Sequence, residues 1–145
     1  SRFNVSKIDK VGAQDIPRSE KFTLGGSRNL RGYDPVSIGP KRTVSRTLDD
    51  GTVVVQEFNI GADFATFLTV ELEHPLAREA GLKWVVFFDT GEAGDPRKIK
   101  LYSDWGFGIR WFSPIGILRF EYGYPMTAEP GQDSGRFHFD IGQLF

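Results

Sequence analysis

FNIGADFATFLTVELE, residues 58–73, sorts by parity into two sets of side chains. Phe58, Ile60, Ala62, Phe64, Thr66, Leu68, Val70 and Leu72 make one set, and Asn59, Gly61, Asp63, Ala65, Phe67, Thr69, Glu71 and Glu73 the other. Successive side chains of a strand point to opposite faces, whereas a helix would scatter both sets around its cylinder, so the stretch predicts one long strand. Strands of ordinary domains run about five or six residues. A run of this length favours a tilted membrane-spanning strand or a large barrel.

The pattern recurs downstream. Residues 82–91 set Leu82, Trp84, Val86 and Phe88 against Lys83, Val85, Phe87 and Asp89, and residues 100–112 set Trp105, Phe107, Ile109 and Trp111 against Asp104, Gly106, Gly108 and Arg110. Residues 117–124 oppose Leu118, Phe120, Tyr122 and Tyr124 to Arg119, Glu121 and Gly123. The last stretch, 136–145, opposes Phe137, Phe139, Ile141 and Phe145 to Arg136, His138, Asp140 and Gly142, and RFNVSKI near the start reads as a weaker sixth strand. The links HPLAREAG (74–81) and SPIG (113–116) are short, while 92–99, 125–135 and 18–56 are longer and more polar. Alternation of short and long links is the habit of an up-and-down antiparallel barrel with short periplasmic turns and long external loops. Residues 45–56 predict a hairpin inside the longest loop, turned at Asp50-Gly51. The fold class expected is all-β, part of an antiparallel transmembrane barrel, over residues 1–145.

Composition narrows the function. A net charge of −1 provides no basic footprint for nucleic acid. With no cysteine there is no disulfide framework, thiolate metal site or cysteine nucleophile. The stretch SRFNVSKIDK lacks the apolar centre of a signal peptide. Parity alone does not name the solvent, since a soluble ligand-binding β barrel would turn the apolar set inward. Three features favour lipid on the apolar side. The polar set holds Gly61, Gly106, Gly108, Gly123 and Gly142, which suits a crowded lumen; Trp84, Trp105, Trp111, Tyr122, Tyr124 and Phe145 lie near strand ends, as in interfacial girdles; and the strands are long enough to span.

Residues 22–40, FTLGGSRNLRGYDPVSIGP, carry a more specific pattern. Phe22, Gly25, Gly26, Leu30, Arg31, Gly32, Tyr33, Gly39 and Pro40 match the long loop of BamA-type outer-membrane assembly proteins of the bacterial surface antigen superfamily, and the chain closely resembles that family. VELEHPL, FFDTGE, GFGIRWFSPIGILRFEYGYP and FHFDIGQLF resemble successive family strands in the right order. The periplasmic POTRA domains and most barrel strands of that family have no counterpart here, so the resemblance implies a C-terminal fragment. It also implies a loop folded back into the barrel, with Arg31 meeting Asp89 and one of Glu71 or Glu73 as a structural latch. The ending Phe137, Phe139, Ile141, Phe145 is similar to the signal by which assembly machinery recognises client barrels.

Other readings of these residues are weaker. The Gly-Gly-Ser-Arg stretch has no strand-to-helix context for cradling phosphate. Glu71, Glu73 and Asp89 as a general acid/base set compete with Arg31 and Arg110 in a salt-bridged lumen, and His74 and His138 form no ligand-like cluster, so no enzyme, metal or cofactor is expected. The function implied by the resemblance is folding and inserting outer-membrane proteins through a lateral strand seam in the bacterial outer membrane. The expected partners are lipid or detergent, nascent outer-membrane proteins and other assembly-machinery subunits, with self-association of the fragment through strand edges. A two-partner secretion pore shares the loop motif and stays open as an alternative.

Overall fold

The computed structural model describes residues 2–11, 21–62, 64–94, 100–127 and 134–142, the first of these by backbone alone. In chain order the strands are β1 (Arg2–Val11), β2 (Lys41–Thr47), β3 (Val53–Asn59), β4 (Phe64–Ala77), β5 (Leu82–Gly94), β6 (Tyr102–Ser113), β7 (Gly116–Pro125) and β8 (Arg136–Gly142). Six of them form one sheet in the order β1-β4-β5-β6-β7-β8, and β2 with β3 form a separate hairpin. Every pairing is antiparallel. The loop 21–40 and the β2–β3 hairpin are inserted between β1 and β4, which are themselves neighbours in the sheet.

The two faces of this sheet are inverted relative to a water-soluble one. On β6, Trp105, Phe107, Ile109 and Trp111 are exposed, Phe107 by 56%, while Asp104 and Arg110 on the other parity are buried. On β5, Val86 and Phe88 are exposed and Val85, Phe87 and Asp89 are buried; on β7, Phe120, Tyr122 and Tyr124 are exposed and Glu121 is buried. Cross-strand aromatic pairs tile the exposed face: Trp105 with Tyr124, Phe107 with Tyr122 and Phe120 with Phe139, the last at 5.0 Å between ring centroids. A face this apolar is stable only against lipid or a partner, because water would penalise it in proportion to its area.

The apolar core lies under the loop. Leu24, Leu30, Tyr33 and Ile38 of the loop pack on Ala65 of β4, flanked by Phe22, Phe67, Ala93 and Tyr102. This explains the apolar exceptions on the polar parity, since Ala65 and Phe67 face the loop rather than water.

The expected single strand over 58–73 is broken. Phe58 and Asn59 end β3, Ala62 bridges to Phe22, and β4 starts at Phe64. The break is local: Gly61 adopts φ 74° and its N–H donates to the Asn59 side-chain oxygen at 2.9 Å, closing a turn that the alternation conceals. β4 then runs beyond Glu73 to Ala77, and the link expected over 74–81 shrinks to a turn over 78–81. Pro75, which has no N–H for the ladder, sits where the β4–β5 register shifts between Pro75 and Ala77. The hairpin in the long loop turns at Asp50-Gly51, with Gly51 N–H donating to Leu48 C=O at 2.9 Å and Thr52 N–H to the Asp50 carboxylate at 2.8 Å.

Candidate functional site

The turn carrying the loop motif is built from within. Leu24 and Ile38 exchange backbone hydrogen bonds of 3.0 and 2.9 Å that close the loop's base. The Asn29 side-chain oxygen accepts from Gly25 and Leu30 N–H at 2.7 Å each, and Tyr33 N–H donates to Leu30 C=O at 3.2 Å, leaving Arg31 and Gly32 at the corner. Gly25 and Gly26 have φ of 109° and 105°, a region that a side chain would strain.

The corner presses on the inner face of the sheet. A Cβ on Gly32 would lie 2.5 Å from Asp104 Cβ, and one on Gly123 would lie 2.5 Å from the Arg31 carbonyl, so a glycine of the loop and a glycine of β7 let the two segments touch. The Arg31 side chain then reaches three strands. Its Nε and Nη2 donate to the two Asp89 carboxylate oxygens at 2.7 and 2.8 Å, and Nη1 donates to Glu71 at 2.7 Å and Glu121 at 3.0 Å. Its guanidinium carbon stacks 3.4 Å from the centre of the Phe87 ring. Space for that ring comes from Gly106, where any Cβ would collide with it.

A second arginine completes the network. Arg110 donates to Glu121 at 2.8 and 2.6 Å and to Glu71 at 2.8 and 3.1 Å, and also pairs with Glu73. Lys83 reaches Glu73 at 3.5 Å. Glu71 and Glu121 thus bridge the two guanidinium groups, and among buried side chains such shared, charge-assisted bonds stabilise as a unit. Asp104, fully buried and directly opposite Asp89 in the ladder, leaves both oxygens without a partner at hydrogen-bonding geometry. Tyr33, also fully buried, places its hydroxyl 2.9 Å from the Ser103 and Thr127 carbonyls and accepts from Thr127 N–H at 3.3 Å.

Of the residues singled out in sequence, Arg31, Asp89 and Glu71 meet. Glu73 does not touch Arg31 and serves Arg110 and Lys83 instead. Gly25, Gly26, Leu30, Gly32 and Tyr33 shape the turn and its packing. Phe137, Phe139 and Ile141 point outward and are exposed, and Phe145 lies outside the described residues. Sequence reasoning missed Glu121, Asp104 and His138 as site residues, although each shares the inner parity with Asp89 and adjacent strands would have pointed to them. It also missed the Arg136–Asp34 pair. There Arg136 donates to the Asp34 carboxylate at 2.6 and 3.0 Å, and that hydrogen bond holds the Asp34 carboxyl below the usual aspartate range. Among the described residues, no group of three or more His, Cys, Asp or Glu side chains is arranged to hold a metal ion.

Beside this geometry, an ion-pair network between the loop and the inner face of the sheet, stands a match over the whole sequence. The model of the Omp85 superfamily domain matches residues 1–145. The chain belongs to the Omp85 superfamily. Among its curated relatives, this Omp85 chain is 34% identical over 141 residues to the outer membrane protein assembly factor BamA of Nitratidesulfovibrio vulgaris, covering 92% of this chain and 16% of that protein. It is 25% identical over 166 residues to BamA of Neisseria meningitidis serogroup B, covering 91% and 19%, and 28% identical over 135 residues to the chloroplastic outer envelope protein 80 of Arabidopsis thaliana, covering 85% and 15%. The Omp85 chain therefore spans only a small part of the length of these relatives. In fold it is similar to the crystal structure of BamA from Haemophilus ducreyi lacking POTRA domains 1-3, with a TM-score of 0.68 at 21% identity, covering 94% of this chain and 30% of that one. The fold class is accordingly all-β and antiparallel, a partial barrel wall.

Proposed function

We propose that this chain is part of the barrel wall of an outer-membrane β-barrel assembly factor, which folds and inserts outer-membrane proteins in the bacterial outer membrane. The observation that carries the reading is the Arg31 latch: a loop pinned by Asp89, Glu71 and Glu121 to the inner face of a sheet whose outer face is aromatic. The relatives named as assembly factors support it. In this reading the outer face meets lipid, the loop braces the wall from within, and nascent outer-membrane proteins and other assembly subunits are the partners.

The step at which the wall acts on a client is strand pairing. β8 ends the sheet order, so one row of its backbone N–H and C=O groups has no neighbour among the described residues. An incoming strand satisfies such a row by β-augmentation, which needs no nucleotide or cofactor and draws its free energy from backbone hydrogen bonds formed in hydrocarbon. The lateral seam of the proposed mechanism is this edge.

Insertion of a client barrel into lipid vesicles by the complete gene product tests the reading. Wild-type protein is expected to accelerate insertion, and Arg31→Ala to slow it by at least about tenfold, because removing a buried, three-way charge partner loosens the loop. Acceleration by neither, or equal acceleration by both, would overturn it.

A further inference from the structure

The latch residues hold the loop to β4, β5 and β7, but the loop also holds something in return. Among the described residues, β8 is paired on one side only, through seven register positions from Ile117↔Gly142 to Gly123↔Arg136. Such an edge strand opens more readily than the strands inside the sheet. Its inner side chains are Arg136, His138 and Asp140. Asp140 lies 3.7 Å from Arg119 of β7, within the sheet itself. The other two leave the sheet: Arg136 grips Asp34 through two hydrogen bonds of 2.6 and 3.0 Å, and His138 Nε2 lies 2.6 Å from the Arg31 carbonyl. A carbonyl oxygen only accepts, so His138 Nε2 carries the proton and donates.

We propose that Arg136 and His138 are positioning residues by which the loop clamps β8, so that release of the loop and opening of the β8 edge are one coupled event. Arg31 is the joint. Its guanidinium is fastened to Asp89, Glu71 and Glu121 while its carbonyl is fastened to His138, so displacing this residue breaks both sets of bonds. Asp34, three residues on, repeats the link through Arg136. The Arg31 carbonyl is led to β8 because Gly123 of β7 has no side chain in its path. The clamp itself stands on these contacts, whereas its consequence, that loop position controls how readily a client strand can pair with β8, rests on the assembly reading above.

Amide hydrogen exchange of the complete gene product in detergent tests the clamp. Asp34→Asn and Arg136→Gln are each expected to speed exchange of β8 amides about fivefold, a modest effect because Asp34 is partly exposed, and to leave β5 and β6 amides unchanged. The double variant is expected to match Arg136→Gln alone rather than the product of the two, since that variant already removes the Asp34 link, along with the bonds of Arg136 to Ser134 and Gly135. His138→Phe should speed β8 in the same way. Unchanged β8 exchange, multiplicative effects in the double variant, or equal loosening of β5 and β6 would overturn the proposal. Client insertion measured on the same samples separates the two readings. A wild-type protein inert towards clients, with β8 exchange still responding, overturns the assembly reading and leaves the clamp supported.

Discussion

Arg31 uses its side chain, its amide, which donates to the Asp89 carboxylate at 3.4 Å, and its carbonyl at once, and the residues around it are unequal in what they contribute. Asp89 receives two side-chain hydrogen bonds from Arg31 and lies opposite Asp104, which receives none. Asp89→Asn weakens the two charge-assisted bonds from Arg31 while Glu71 and Glu121 still balance its charge, so it should destabilise the folded wall by about 1–3 kcal/mol. Asp104→Asn should be tolerated, holding or raising stability by about 1 kcal/mol, because two facing buried carboxyl groups do not both stay ionised and the amide supplies N–H donors facing Asp89. Thermal unfolding midpoints of the two variants in detergent check this contrast, and equal losses would contradict it. Gly123→Ala should cost about 1–3 kcal/mol in the same measurement, since its Cβ would meet the Arg31 backbone. Asp34 adds a pH dependence. Its carboxyl is held below its ordinary value of 3.8 by the Arg136 hydrogen bond, so its contribution is complete above that value and is lost as pH falls through the lower folded one. Asp34→Asn should abolish that part of the acid loss of loop docking, followed by β8 exchange across this range.

At the level of elements, the strands present two surfaces of opposite chemistry from one alternating pattern. Nitroxide labels at Phe107 of β6 and Phe139 of β8 should be reached by a lipid-soluble relaxation agent, and a label at Lys83 of β5 by a water-soluble one; the reverse accessibility would turn the sheet inside out. The division into two faces was legible in sequence, because parity is a local property that each strand repeats; which face meets lipid rested on the glycines of the polar set, the aromatic residues near strand ends and the strand lengths. The break between β3 and β4 was not. Hydropathy alternates straight through Ile60, Gly61 and Ala62, while the turn depends on the sign of one backbone angle and on a side-chain bond from Asn59. The extension of β4 through Pro75 was hidden for a related reason, since proline signals a link unless a register shift accommodates it.

For the whole molecule, the sheet ends in β1 and β8, each with an unpaired side among the described residues. Unpaired backbone groups are costly in hydrocarbon, so the isolated chain in detergent should associate through these edges into dimers or larger species. Light scattering that finds a monodisperse monomer would contradict this. The amino-acid sequence by itself determined the two sets of side chains on each strand, because these follow from period-two alternation, while the docked loop and the meeting of Arg31 with Asp89 were implied by the resemblance that residues 22–40 carry. Only the tertiary structure decided that Arg31 meets Glu121 as well as Asp89 and Glu71, that Glu73 belongs to Arg110, and that Arg136 and His138 tie the last strand to the loop. Those partners lie as many as 107 positions apart in the chain, and their meeting depends on strand register and on the path of a loop across the sheet. Neither is written in any local pattern.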